Sequence, residues 1–150
     1  MKRDKLNELK VKLRAVSSNE SLARVMTTAF LMPWSPTVEE IADIKTAVSE
    51  AVTNAIVHGC ASDASQYIQI RLVMYSEGTF LVSVTDRGRG IPDIKAAMEP
   101  LFTTDAENER SGMGFSIMET FSDKLAVRSK VGEGTSVTMT RRLLHFKNEQ

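Results

Sequence analysis

In the stretch SEAVTNAIVHG, residues 49–59, Glu50 and Asn54 stand four places apart. On a helix that spacing puts both on one face, and it is not the face of the Ile44, Val48 and Val52 stripe. A carboxylate and an amide so placed can hold a hydrated Mg²⁺ and orient a nucleophile. The bland alternative is a solvated polar face closed by an i,i+4 hydrogen bond. Asp86-Arg87-Gly88-Arg89-Gly90 forms a second cluster. An aspartate at a strand end that points into a pocket can accept a hydrogen bond from an adenine amino group, and the glycines let backbone approach the base; the alternative is an Asx-type turn leaving a strand. In the third cluster, Arg110-Ser111-Gly112-Met113-Gly114-Phe115, glycines open a helix. Unpaired N–H groups and the helix dipole make such a place a phosphate site, or the glycines are a hinge. Gly132 to Thr135 (GEGT) adds a fourth element, which alone reads as a hairpin turn.

These groups need elements to hold them. Residues 8–15 alternate, with Leu9, Val11 and Leu13 on one side, as in a short strand. Ser17 and Glu20 have capping-box spacing, and the helix after them is expected to bury Leu22, Val25, Met26, Ala29 and Phe30. Pro33 and Pro36 break the chain. A longer helix follows, with Thr37 and Glu40 as a second capping box, Ile41, Ile44, Val48, Ala51, Val52, Ala55 and Ile56 as its apolar stripe, and Gly59 as its stop. YIQIRLVMY and TFLVSVTD read as a hairpin around Glu77-Gly78. It places Phe80, Val82 and Val84 on one face, with Asp86 at the rim of that space. A short helix at 93–98, a polar loop at 99–111, a helix at 113–121 and strands at 124–130 and 135–143 complete the order. Phe115, Met118 and Phe121 are expected to share the buried face of the last helix. The sum is an α+β fold in two layers: a mixed, mainly antiparallel sheet covered on one face by helices.

Composition narrows the function classes. The 150 residues suit one domain, 42% hydrophobic and 25% charged, with a formal net charge of zero. That balance gives no bulk electrostatic pull toward nucleic acid or a membrane. The basic run at the start, Lys2 to Arg14, reads as a solvated edge. Cys60 is the only cysteine, so no disulfide forms within the chain, which fits a reducing cytoplasm; with only His58 and His145 beside it, zinc is a poor candidate. No secretory h-region and no apolar run of the ~20 residues a membrane span needs are present.

Taken together, in this order and spacing, the clusters resemble the asparagine box and the three glycine boxes of the GHKL (Bergerat) ATPase superfamily, from about residue 38 to residue 140. The resemblance implies ATP and Mg²⁺ as cofactors: Asn54 as the Mg²⁺ ligand, Asp86 as the adenine reader, Gly88 and Gly90 in the first glycine box, and Gly112 and Gly114 around the phosphates. Thr135 follows in the last box, and 99–111 would be an ATP lid. SSNESLARV, SEAVTNAIVHG, PLFTT and ERSGMGFSIMETFSD are similar to the anti-sigma-F factor family of the sporulation switch, whose members inhibit a sigma factor and phosphorylate a serine of its anti-anti-sigma antagonist. That resemblance implies Glu50 as the catalytic base, Arg24 as a partner contact, Thr104, Arg110 and Ser111 near the phosphates, and a homodimer. Arg87 and Arg89 depart from the acidic or neutral residues often found in that box.

Other branches fit less well. A sensor histidine kinase needs a phospho-acceptor histidine on a separate dimerisation helix, and neither His58 nor His145 suits. Gyrase-like, chaperone-like and mismatch-repair-like chains need further domains. An anti-sigma kinase of a stress-response switch and a nucleotide-gated binding module without kinase activity stay open, although Glu50 beside the Mg²⁺ ligand suits phosphoryl transfer better than the latter.

Overall fold

A computed structural model of the chain describes residues 3–99 and 114–148. Its strands are β1 (Lys5–Arg14), β2 (Tyr67–Tyr75), β3 (Thr79–Asp86), β4 (Lys124–Lys130) and β5 (Gly134–Arg142), ordered β1-β2-β3-β5-β4 in one sheet. All four pairings are antiparallel, so the mainly antiparallel sheet read from the sequence contains no parallel pair among the described strands.

Side-chain alternation makes one face of this sheet apolar. In register across it lie Leu9, Leu72, Val82, Met139 and Leu125, and next to them Val11, Ile70, Val84, Val137 and Val127. The row beyond changes character at its centre, running Leu13, Ile68, Asp86, Thr135, Ser129. The opposite face carries hydrophilic pairs such as Arg71 with Glu8 (2.7 Å) and Thr85 with Ser136 (3.0 Å).

The helices α1 (Asn19–Leu31), α2 (Val38–Thr53), α3 (Ile94–Ala97) and α4 (Gly114–Thr120) supply the second layer. Thr37 and Glu40 form the expected reciprocal capping box at the start of α2. Ile44, Val48, Ala51, Val52, Ala55 and Ile56 pack into the core with Ile68, Ile70, Leu72 and Met74. In α4, Met118 is fully buried and Phe115 and Phe121 pack partly against the core.

Three local expectations change. Ser17 and Glu20 make no capping box: Ser18 is the N-cap, without a side-chain bond, because Glu20 turns instead to Arg24 and Ser49. The buried face of α1 is Ala23, Thr27, Phe30 and Leu31, while Leu22 and Val25 are exposed. Alanine and threonine let α1 lie close to its neighbour, with the Thr27 hydroxyl satisfied by the Ala23 carbonyl at 2.8 Å. Finally, the long helix widens into a π-helical turn at Asn54–Gly59; it stops at the expected Gly59, and the left-handed residues that follow are Ala61 and Ser62. The Ser62 amide closes it by bonding the Ile56 carbonyl at 2.8 Å.

Candidate functional site

Between α2 with its π turn, the end of β3 and the start of β5 lies a cavity of about 260 Å³. Val84 and Val137 form its apolar floor, Ile91, Ala97 and Phe115 line its sides, and Asp86 and Thr135 stand together at one end. Such a slot, apolar on its broad walls with a few convergent polar groups, fits a flat aromatic ring with polar edges.

Asp86 is 5% exposed, an uncommon state for a carboxylate without a cation beside it. Burial pushes its carboxyl above the ordinary range, and the backbone N–H groups of Gly88 and Thr135 pull it part of the way back. The Gly88 amide donates to Oδ1 at 2.9 Å. This is the Asx turn offered as the bland reading, and it coexists with a place on the cavity wall. The turn fixes one oxygen and leaves the group an acceptor.

Glu50 and Asn54 meet at Gly114, the first residue of α4. A Cβ on Gly114 would stand 3.1 Å from Asn54 Nδ2, 3.3 Å from Glu50 Oε2 and 3.4 Å from Asn54 Oδ1. The glycine therefore leaves room where the two polar side chains converge. Among the described residues no group of three His, Cys, Asp or Glu side chains is placed to hold a metal. A hard cation here would draw one or two ligands from the protein and the rest from phosphate oxygens, which is how Mg²⁺ is commonly held. The residues present fit that role.

The first glycine box is glycine-rich for a reason internal to the protein. A Cβ on Gly88 would come within 1.7 Å of the Gly59 carbonyl oxygen, and one on Gly90, where φ is +78°, within 2.3 Å of the Lys130 carbonyl oxygen. Gly90 lines the cavity; Gly88 does not border it. Arg89, whose role sequence reasoning left open, binds three segments together. Its amide bonds the Gly59 carbonyl at 3.0 Å, its Nε donates to the His58 carbonyl at 2.5 Å, and its carbonyl accepts from Gly132 at 2.9 Å. Ser129 was also missed. Its hydroxyl accepts from the Ile91 amide at 2.7 Å and lies 2.8 Å from the Thr135 hydroxyl, tying the cavity wall to the sheet. Its only sequence signal was the in-row position opposite Thr135, visible once the β4–β5 register is known.

Glu50, Asn54, Asp86, Gly90, Gly114 and Thr135 thus gather around one cavity. Arg24 lies elsewhere, beside a groove between α1 and α2 formed with Ser21, Val25, Thr28, Ala29 and Lys45. Its side chain is partly exposed and is paired within α1, with Nε 2.8 Å from Glu20 Oε1. Thr104, Arg110, Ser111 and Gly112, with most of the lid segment, lie outside the described residues.

Known proteins resemble this chain. Residues 14–141 match the model of the histidine kinase-like ATPase domain family. The anti-sigma F factor of Geobacillus kaustophilus is 47% identical over 94% of this chain and 96% of its own length. That of Thermoanaerobacter sp. (strain X514) is 50% identical over 90% and 93%. A crystal structure of the RsbU and RsbW domains from Mycobacterium tuberculosis superposes with a TM-score of 0.67 at 24% identity, covering 91% of this chain and 32% of that one. At that identity the likeness concerns the fold. Family membership implies ATP binding.

Proposed function

The chain belongs to the histidine kinase-like ATPase domain family and, within it, to the anti-sigma F factors, and on that footing we propose that it holds a sigma factor inactive and uses ATP to phosphorylate a serine of the antagonist that would release it. The observation that carries the kinase half is the convergence of Glu50 and Asn54 at Gly114, adjoining the cavity that has Asp86 at its far end.

Adenine lies against Val84 and Val137 and donates its amino hydrogen to Asp86. Phosphates run toward Gly114, where the start of α4 offers backbone N–H groups. Asn54 would hold Mg²⁺ beside the phosphates, and the ion would supply charge neutralisation there. Glu50 accepts the proton of the antagonist's serine hydroxyl as its oxygen bonds to the γ-phosphorus. The bond from that phosphorus to the bridging oxygen breaks, and ADP leaves. Positioning and electrostatics, not covalent chemistry by the protein, do most of this. Arg24 serves the partner face. β1 is an edge strand, which suits pairing with a second copy, and we include a homodimer in the proposal.

The test is a pull-down from the native cytoplasm with ATP and with ADP, followed by radiolabel transfer from ATP to each protein recovered. Recovery of a sigma factor together with label on the serine of a second, antagonist protein supports the proposal. A sigma factor bound without transfer to any protein would reduce it to a nucleotide-gated binding module.

A further inference from the structure

The guanidinium of Arg24 is occupied, but poorly. Nε comes within 2.8 Å of Glu20 Oε1, yet this buried Nε–H has no aligned hydrogen-bond acceptor. The remaining bonds are long, from Nη2 to Glu20 Oε2 at 3.3 Å and to Ser21 Oγ at 3.2 Å. A guanidinium gains most from a carboxylate that meets it in two parallel bonds. Glu20, one turn earlier on the same helix, does not reach that geometry. Its carboxylate has a second partner on the neighbouring helix, for the Ser49 hydroxyl donates to Glu20 Oε1.

We infer that Glu20 is a built-in competitor for Arg24, holding in the free protein the guanidinium that a partner's carboxylate takes, with Ser49 keeping Glu20 bonded once it is displaced. The inference rests on Arg24 being a partner contact. It adds that binding is an exchange of one carboxylate for another, so only a segment that brings a well-aligned carboxylate into the groove gains from Arg24. Val25 and Ala29 beside it, with Lys45 across on α2, suit an amphipathic acidic segment. Ser49 lowers the cost of exchange, because a half-buried carboxylate stripped of its cation keeps one strong donor.

The signs of three substitutions follow, measured by calorimetric titration of the full chain, loaded with a non-hydrolysable ATP analogue, with the purified sigma factor recovered above. E20Q weakens the competitor and tightens binding about two- to fivefold, the scale of a helical i,i+4 ion pair. S49A removes the fallback and weakens binding by about threefold. R24A weakens binding, and R24A/E20Q binds no tighter than R24A. A gain that vanishes with Arg24 cannot come from general loosening of α1. E20Q binding equal to or weaker than wild type overturns the inference, as does a gain that survives in R24A or an S49A that binds more tightly. Should R24A itself bind normally, the reading of Arg24 as a partner contact falls and the inference falls with it. Thermal melts of each variant confirm folding, and S49A supplies an independent sign if E20Q melts early.

Discussion

Gly59 and Asp86 touch: a Cβ on Gly59 would lie 2.4 Å from Asp86 Oδ2 and 2.5 Å from its Cγ. The glycine ending the asparagine-box stretch is thus required by the aspartate that ends β3, although the two are far apart in the chain. Gly59→Ala must push the carboxylate aside or back the π turn away from the sheet. We expect a folded protein with ATP affinity lowered by tenfold or more, on the order of one displaced hydrogen bond to a buried group. Calorimetric titration with ATP measures it, and unchanged affinity would remove Asp86 from adenine recognition.

Asp86→Asn separates stability from binding. Burial raises the Asp86 carboxyl above its ordinary value, so the folded state holds the proton more tightly than the unfolded chain does. That preference favours folding below the unfolded value and is lost as pH rises through the folded one. At neutral pH the charged group is therefore a cost to the nucleotide-free fold. Asparagine keeps an acceptor for the Gly88 amide but can turn an N–H toward adenine. The variant should melt no lower than wild type without nucleotide, yet bind ATP about 10- to 100-fold more weakly. By the same sign, wild-type affinity should decline on acidification through the Asp86 titration, a decline the variant should lack.

Glu50→Gln keeps size and polarity at Gly114 and removes the proton acceptor. Phosphoryl transfer to the antagonist should fall by roughly 10²- to 10⁴-fold, the usual scale for a general base, with ATP affinity and sigma-factor binding held. Single-turnover label transfer at saturating ATP reads the chemical step directly. Transfer at the wild-type rate would leave Glu50 a structural residue of α2.

Signals confined to one element were readable in the sequence. Ile68, Ile70, Leu72 and Met74 alternate and are buried as alternation requires; Thr37 and Glu40 are spaced for a capping box and make one. What failed was decided by neighbours distant in sequence. Ser17 and Glu20 have the same spacing, but Ser49 and Arg24 claim the glutamate. Leu22 and Val25 are more hydrophobic than Ala23 and Thr27, yet the smaller pair is buried because α1 packs closely there. The first glycine box was legible as a cluster but not in what it packs against: Gly88 answers to the Gly59 backbone and Gly90 to that of Lys130, contacts that no local pattern encodes.

Glu40 ties the end of the chain to the start of α2, well away from the cavity. It is 1% exposed, and both its oxygens accept from backbone amides, Oε1 from Thr37 at 2.9 Å and Oε2 from Leu144 at 2.8 Å. Burial alone would raise its carboxyl, but the bonds from Thr37 and Leu144 and the charge of Arg141 outweigh it, and the net direction is downward from 4.5. A lowered carboxyl stabilises the fold above its unfolded value and loses that contribution as pH falls through the folded one. Gln at this position has one acceptor and one donor, so an amide of Thr37 or Leu144 would face an N–H. Glu40→Gln should therefore cost about 1–3 kcal/mol at neutral pH, and its stability should fall less steeply on acidification than that of wild type. Urea melts at a series of pH values give both quantities. ATP titration at low temperature should be unaffected, because the Glu40 clasp borders neither Asp86 nor Gly114. A cost that stayed constant down to pH values where Glu40 is protonated would show that the clasp acts by packing and not by its charge.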